Sequence, residues 1–185
     1  IDPDVVSDRI IKSETWKDEI DTLTVDPHYI PKFIEVVFDN YCNLSCSYCD
    51  SGQSSSWAAK LHRNPLVLET DYRELYSKIH IAPGTIKEEY LEAWNKWWAQ
   101  IGTQVDRLKI SGGEPLLSKN VWKFFETLQT QNSDLNHLVI NSNFSVDPSI
   151  IEKFIRVTEK FKKVRVAASL DAVGDIAEYT RQGLD

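Results

Sequence analysis

Methionine is absent from all 185 residues, the initiator included. The chain is therefore expected to be a piece of a longer protein, stopping at Arg181-Gln182-Gly183-Leu184-Asp185 within or just after a helix. Long apolar runs are missing too. None approaches the ~20 residues of a membrane span, and Ile1-Asp2-Pro3-Asp4 is unlike the apolar stretch of a signal peptide. Basic residues are in deficit, 21 Lys and Arg against 28 Asp and Glu, and a net charge of −7 argues against a general nucleic-acid binder. The four histidines, His28, His62, His80 and His137, show no paired ligand spacing. Cysteine is scarcer still, with three residues, all in one short stretch. Free clustered thiols persist in a reducing compartment, so a cytoplasmic location is expected.

That stretch runs Asn40-Tyr41-Cys42-Asn43-Leu44-Ser45-Cys46-Ser47-Tyr48-Cys49, with spacing C-x3-C-x2-C, directly after the apolar run Phe33 to Phe38. Thiolates are soft ligands that favour zinc, copper(I) or iron–sulfur clusters. Three of them grip three corners of a metal centre and leave a fourth position open or filled from outside. Disulfide pairing would leave one cysteine odd and asks too much of so short a loop. Structural zinc normally takes four protein ligands, so it would need a histidine brought in from elsewhere. An iron–sulfur site is the preferred reading, with zinc as the alternative.

The rest of the chain alternates. Residues 1–32 read as an N-terminal extension with a short helix around Asp8–Ile20, and residues 33–185 as the core. Phe33–Phe38, Val105–Ile110, His137–Ile140 and Val164–Ala168 read as strands from their β-branched and aromatic content. Helices are expected between them. Val121, Phe124, Phe125 and Leu128 mark one apolar face, and Ile150, Ile151, Phe154 and Ile155 mark another, after the start signal Asp147-Pro148. A final helix is expected over Ala172–Gln182. Residues 50–105 form a long, helix-bearing insertion with breakers at Asn64-Pro65 and Ala82-Pro83-Gly84. Its helix, from Thr85 to Ile101, places Tyr90, Leu91, Trp94, Trp97, Trp98 and Ile101 on one face. A binding platform is one reading of those tryptophans; a helix packed on the core is the preferred one.

Four strand–helix repeats imply an α/β fold with a parallel sheet and right-handed crossovers. Such a sheet holds its ligand beyond the carboxyl ends of its strands. The unusual polar clusters all fall there: the cysteine loop, Gly112-Gly113-Glu114-Pro115, Asn141-Ser142-Asn143 and Ser169-Leu170-Asp171. The glycines permit close backbone approach, Glu114 offers a carboxylate to an ammonium group, and Pro115 stiffens the turn. Asn141 and Asn143 can bond hydroxyls. Taken singly, these residues also read as turns, and Ser169 and Asp171 as a helix cap. Together they describe a metal site beside a pocket for an amine- and hydroxyl-bearing ligand.

With these two motifs in this order, the sequence resembles the radical S-adenosylmethionine (SAM) enzymes over residues 33–183. The resemblance implies a partial (β/α) barrel of the radical SAM core type, with at least four βα units and a truncated C-terminus. It implies that Cys42, Cys46 and Cys49 hold a [4Fe-4S] cluster whose fourth iron is chelated by the amine and carboxylate of SAM. Gly113 and Glu114, flanked by Gly112 and Pro115, would sit at the SAM amino group, and Tyr48 near the adenine. Asn141 or Asn143 and Ser169 would lie near the ribose and carboxylate, close to Asp171. Arg181 would be a carboxylate partner. The implied chemistry is reductive cleavage of SAM to a 5′-deoxyadenosyl radical that abstracts hydrogen from an unnamed substrate, a peptide being one option; no acid–base residue is demanded.

Cys42-Asn43-Leu44, the Ser169-Leu170-Asp171 strand end and the Arg181-Gln182-Gly183-Leu184 ending look most like the SPASM/twitch branch. Auxiliary-cluster cysteines are missing here, in keeping with truncation. The alternatives are a small-molecule enzyme of the carboxy-deazaguanine synthase type and a non-catalytic metal-binding module. The expected partners are a small-molecule or peptide substrate and an electron donor such as flavodoxin or ferredoxin. Neither a nucleic acid nor a membrane is expected.

Overall fold

A computed structural model describes residues 8–22, 29–63, 88–130 and 135–184. The breakers at Asn64-Pro65 and Ala82-Pro83-Gly84, and the expected helix start at Thr85, lie outside these residues. The chain divides into two compact units, Ile1–Ile30 and Pro31–Asp185. The first holds two short helices, α1 (Asp8–Thr15) and α2 (Lys17–Thr22), where one helix was expected. Thr15 and Thr22 each turn their hydroxyl back onto a carbonyl four residues earlier. Such back-bonding slightly weakens a helix, and it stands at the end of each one.

The second unit is built on four parallel strands: β1 (Phe33–Val37), β3 (Arg107–Ser111), β4 (His137–Ser142) and β5 (Lys163–Ala168), in the order β1-β3-β4-β5. The expected α/β class and parallel sheet are therefore present. Register explains why these segments pair. Ile34, Leu108, Leu138 and Val164 lie in one row across the sheet, and Val36, Ile110, Ile140 and Val166 in another. The central members Leu108, Ile110, Leu138 and Ile140 are fully buried. Each contributes on the order of 1.5–3 kcal/mol by leaving water. The opposite face carries Glu35, Lys109, Val139 and Arg165 in one row, because successive strand residues point to opposite sides.

The helices return the chain between strands. Helix α5 (Lys119–Thr130) buries Val121, Phe124, Phe125 and Leu128, the face read from its periodicity. Helix α6 (Pro148–Thr158) starts at Asp147, whose carboxylate accepts from the Ser149 amide. It buries Phe154 and Val157, but Ile155 is exposed, so its apolar face is rotated from the expected one. The tryptophan helix α4 (Glu88–Ile101) also has a narrower buried face than the pattern suggested. Trp98 and Ile101 are buried, while Tyr90 and Trp97 are exposed. Trp94, Trp98, Phe38 and Phe124 form one aromatic cluster with ring centroids 5.2–5.7 Å apart. Packing, rather than a ligand platform, accounts for Trp94 and Trp98.

Two further elements were not legible. A two-residue strand in the cysteine loop, β2 (Ser45–Cys46), pairs antiparallel with β6 (Arg181–Gln182). The last helix, α7 (Asp175–Thr180), is correspondingly shorter than expected and ends where β6 begins. Among the described residues, no helix is long and apolar enough to cross a membrane.

Candidate metal and ligand site

The cysteine loop leaves the carboxyl end of β1 and is pegged from beneath by the start of α3 (Ser55–Arg63). Ser55 Oγ accepts from the Cys42 amide at 3.0 Å, Ser56 Oγ donates to the Cys42 carbonyl at 2.8 Å, and Ser54 Oγ donates to the Leu44 carbonyl at 2.7 Å. The Trp57 indole N–H reaches the Cys46 carbonyl at 2.7 Å. A run of three serines, Ser54, Ser55 and Ser56, is thus the support of the thiols. Leu44 is buried between the cysteines and anchors the loop.

All three cysteines are free: Cys46 is buried, Cys42 and Cys49 half-buried. Burial is the main cause that pushes the Cys42 and Cys49 thiols above their ordinary value. Donors approach two of the sulfurs. The Leu44 amide lies 3.4 Å and Asn143 Nδ2 3.9 Å from Cys42 Sγ, and Arg181 Nη1 lies 3.8 Å from Cys46 Sγ. Among the described residues, no set of three or more His, Cys, Asp or Glu side chains is arranged to hold a metal ion.

The cysteines line one cavity of about 570 Å³ at the carboxyl rim of the sheet. Tyr48, Gly112, Gly113, Asn141, Asn143, Ser169 and Arg181, all singled out from sequence, also line it. Glu114, Pro115 and Asp171 do not.

Glu114 departs from its expected place at an ammonium group. Its side chain is 1% exposed and turned into the fold. Oε1 accepts from Ser142 Oγ at 2.7 Å and the Leu116 amide at 3.1 Å, and Oε2 accepts from the Asn143 amide at 2.7 Å. Burial raises its pKa, and these three donors oppose the rise. Glu114 is a bracket joining the end of β3 to the end of β4, while Pro115 opens the buried 3-10 turn Pro115–Leu117 behind it.

The glycines also have a cause other than a ligand. A Cβ on Gly113 would lie 2.4 Å from the Tyr41 carbonyl oxygen and 2.6 Å from that of Asn40. Gly112 has φ +136° and would meet the Asp39 carbonyl oxygen at 2.7 Å. The Gly-Gly turn is pressed against the cysteine loop, and the Glu114 amide donates to the Tyr41 carbonyl at 2.7 Å. Loop contacts loop here, which explains why two residues without side chains stand in succession.

Arg181 lines the cavity and is also engaged within the chain. Its Nε forms an ion pair with Asp171 Oδ2 at 2.5 Å. The Tyr48 hydroxyl donates to the same oxygen at 2.7 Å. That hydroxyl, then the guanidinium, hold the Asp171 carboxyl below its ordinary range. The Tyr48 phenol is held well above its ordinary value by partial burial and by Asp171.

Sequence reasoning missed several polar residues of the cavity wall, among them Asp39, Glu35, Ser111 and Asn40. Asp39 accepts from Ser118 Oγ at 2.6 Å and fixes the turn behind Glu114. Glu35 pairs with Lys109 at 2.9 Å and accepts from Ser111 Oγ at 2.7 Å. Asn40 is buried, with an Oδ1 that accepts no hydrogen bond. The strand alternation that places Glu35 and Ser111 on the cavity side is visible in the sequence, but which face meets the cavity is not.

Comparison with known proteins gives few matches. No family model matches the chain, and no solved structure matches it. A curated relative from Nitrosomonas europaea, named ATP synthase subunit delta, is 28% identical over 126 residues, covering 66% of this chain and 71% of that protein. That finding corrects the functional expectation drawn from the cysteine loop and the Gly-Gly-Glu-Pro turn. The relative is named for a subunit of an ATP synthase, and not for an enzyme that cleaves SAM reductively and abstracts hydrogen from a substrate.

Proposed function

We propose that the rim of the sheet is a two-cofactor site, with a [4Fe-4S] cluster on Cys42, Cys46 and Cys49 and SAM in the adjoining cavity. The fold would then be a partial barrel of the radical SAM core type. One observation carries the reading: three free thiols open into a single cavity whose remaining walls include residues of β1, the ends of β3 and β4 with the turns after them, the turn after β5, and Arg181 of β6. Cofactor binding is the whole of the proposal, and cleavage of SAM is not part of it.

The donor set fits the cluster. Three thiolates on a cube bind three different irons, so their sulfurs need not converge on one point, as they must around a single zinc. When bound, the cluster supplies one-electron chemistry and an open iron for an amine and a carboxylate. The chain's own groups hold the surroundings. The Leu44 amide and Asn143 Nδ2 face Cys42, and Asn40 Oδ1 is a buried acceptor still without a donor. Tyr48, 62% exposed, presents a ring on which an adenine can stack. The reading places the chain in a reducing, cytoplasmic setting with a low-potential electron donor such as flavodoxin or ferredoxin as partner.

Anaerobic reconstitution with iron and sulfide tests it. About four irons per chain and a reduced-cluster EPR signal altered by added SAM are expected, all lost in Cys46→Ala. Stoichiometric zinc without iron uptake would sink the proposal. The named relative carries a second reading, assembly as a subunit of an ATP synthase. A chain that takes up neither iron nor SAM but co-purifies with ATP synthase subunits would favour it.

A further inference from the structure

Arg181 is 7% exposed, and its charge faces a cysteine sulfur rather than water. The pairing of β2 with β6 puts Cys46 and Arg181 directly opposite one another. From that register Nη1 reaches Cys46 Sγ at 3.8 Å, while Nε is tied to Asp171 Oδ2 at 2.5 Å. The guanidinium carbon also lies 5.5 Å from the centre of the Tyr48 ring, whose hydroxyl donates to Asp171. Three contacts from three directions fix one cation on one sulfur. Lysine has no comparable fork: a point charge cannot pair with the carboxylate and face the thiolate through separate, rigidly spaced nitrogens.

We infer that Arg181 is a positioning residue that sets the reduction potential of the metal centre through Cys46, with Asp171 as its partial counter-charge. The inference rests on the cluster reading above. A [4Fe-4S] centre takes up one electron without making or breaking a bond, and its ligand sulfurs become more electron-rich. Net charge and hydrogen bonds to those sulfurs tune the potential. A fixed cation with an N–H directed at Cys46 stabilises the reduced state and raises the potential; the Asp171 carboxylate, one contact further out, offsets part of that effect. Removing either charge therefore moves the potential in opposite directions.

The test is a mediated redox titration of the reconstituted chain, read by EPR, with iron per chain counted for every variant. Arg181→Gln is expected to keep its iron and to lower the equilibrium constant for one-electron reduction at least tenfold, about 59 mV more negative. Asp171→Asn, at a partly exposed carboxylate, is expected to raise it. A merely structural role would move both variants the same way or neither. Iron-loaded Arg181→Gln at the wild-type potential overturns the inference and leaves the cluster reading intact. If that variant does not fold, Asp171→Asn decides: a higher potential supports the inference, and an unchanged or lower one overturns it. A wild-type chain that takes up no iron overturns both.

Discussion

Replacing Glu114 by alanine should destabilise the rim of the sheet from within. The carboxylate serves three donors: Ser142 Oγ at 2.7 Å, the Asn143 amide at 2.7 Å and the Leu116 amide at 3.1 Å. The serine hydroxyl can rotate to another acceptor, but the two amides cannot. Each buried N–H left without a partner costs about 1–3 kcal/mol, so the pair costs about 4 kcal/mol. A chain of this length loses about 2–4 °C in Tm per kcal/mol, so a fall of about 8–16 °C follows. Far-UV circular dichroism melts of the metal-free protein under reductant measure it. A Tm within about 2 °C of wild type would refute the bracket. The pH dependence carries a sign. Burial raises the folded-state pKa of Glu114 above 4.5, so its contribution is fullest below that pH and declines as the pH rises through the folded value. The gap between wild type and Glu114→Ala should therefore narrow as the pH rises above 4.5.

Gly113→Ala should cost more than about 2 kcal/mol in urea unfolding, because its Cβ meets two backbone carbonyl oxygens that cannot swing away. Gly174→Ala meets nothing within 4 Å, so its cost, about 1–3 kcal/mol, is that of placing alanine at φ +60° and ψ −148° alone; a Gly113→Ala variant as stable as wild type would refute the crowding. Trp98→Ala, at a fully buried indole, should cost about 3–5 kcal/mol, and Trp97→Ala under about 1 kcal/mol. Similar losses for the two would contradict the packing of α4.

The four sheet strands were legible because each carries apolar residues in alternate positions, and those rows coincide across the sheet. The aromatic faces of α5 and α4 were partly legible from the helical period. Ile155 and Trp97 were misread because periodicity gives the orientation of a helix only to within a residue or so of its edge. The site was legible as a set of loops and not as a set of contacts. Glu114 resembles a ligand residue in the sequence, yet its partners at Ser142 and Asn143 lie 28 and 29 positions away. Nothing local announces that Gly113 faces Tyr41, or that the serines after Gln53 carry the cysteine loop. Arg181 could be flagged by its charge alone, but its object, a sulfur 135 positions earlier, follows only from the pairing of β2 with β6.

That pairing also imposes a schedule on the protein as it is made. Translation proceeds at about 5–20 residues per second, so the 135 positions from Cys46 to Arg181 take about 7–27 s. For that interval the thiols have left the ribosome while the strand that closes over Cys46 has yet to be made. A nascent chain stalled before residue 181 would expose the cysteines without their cation.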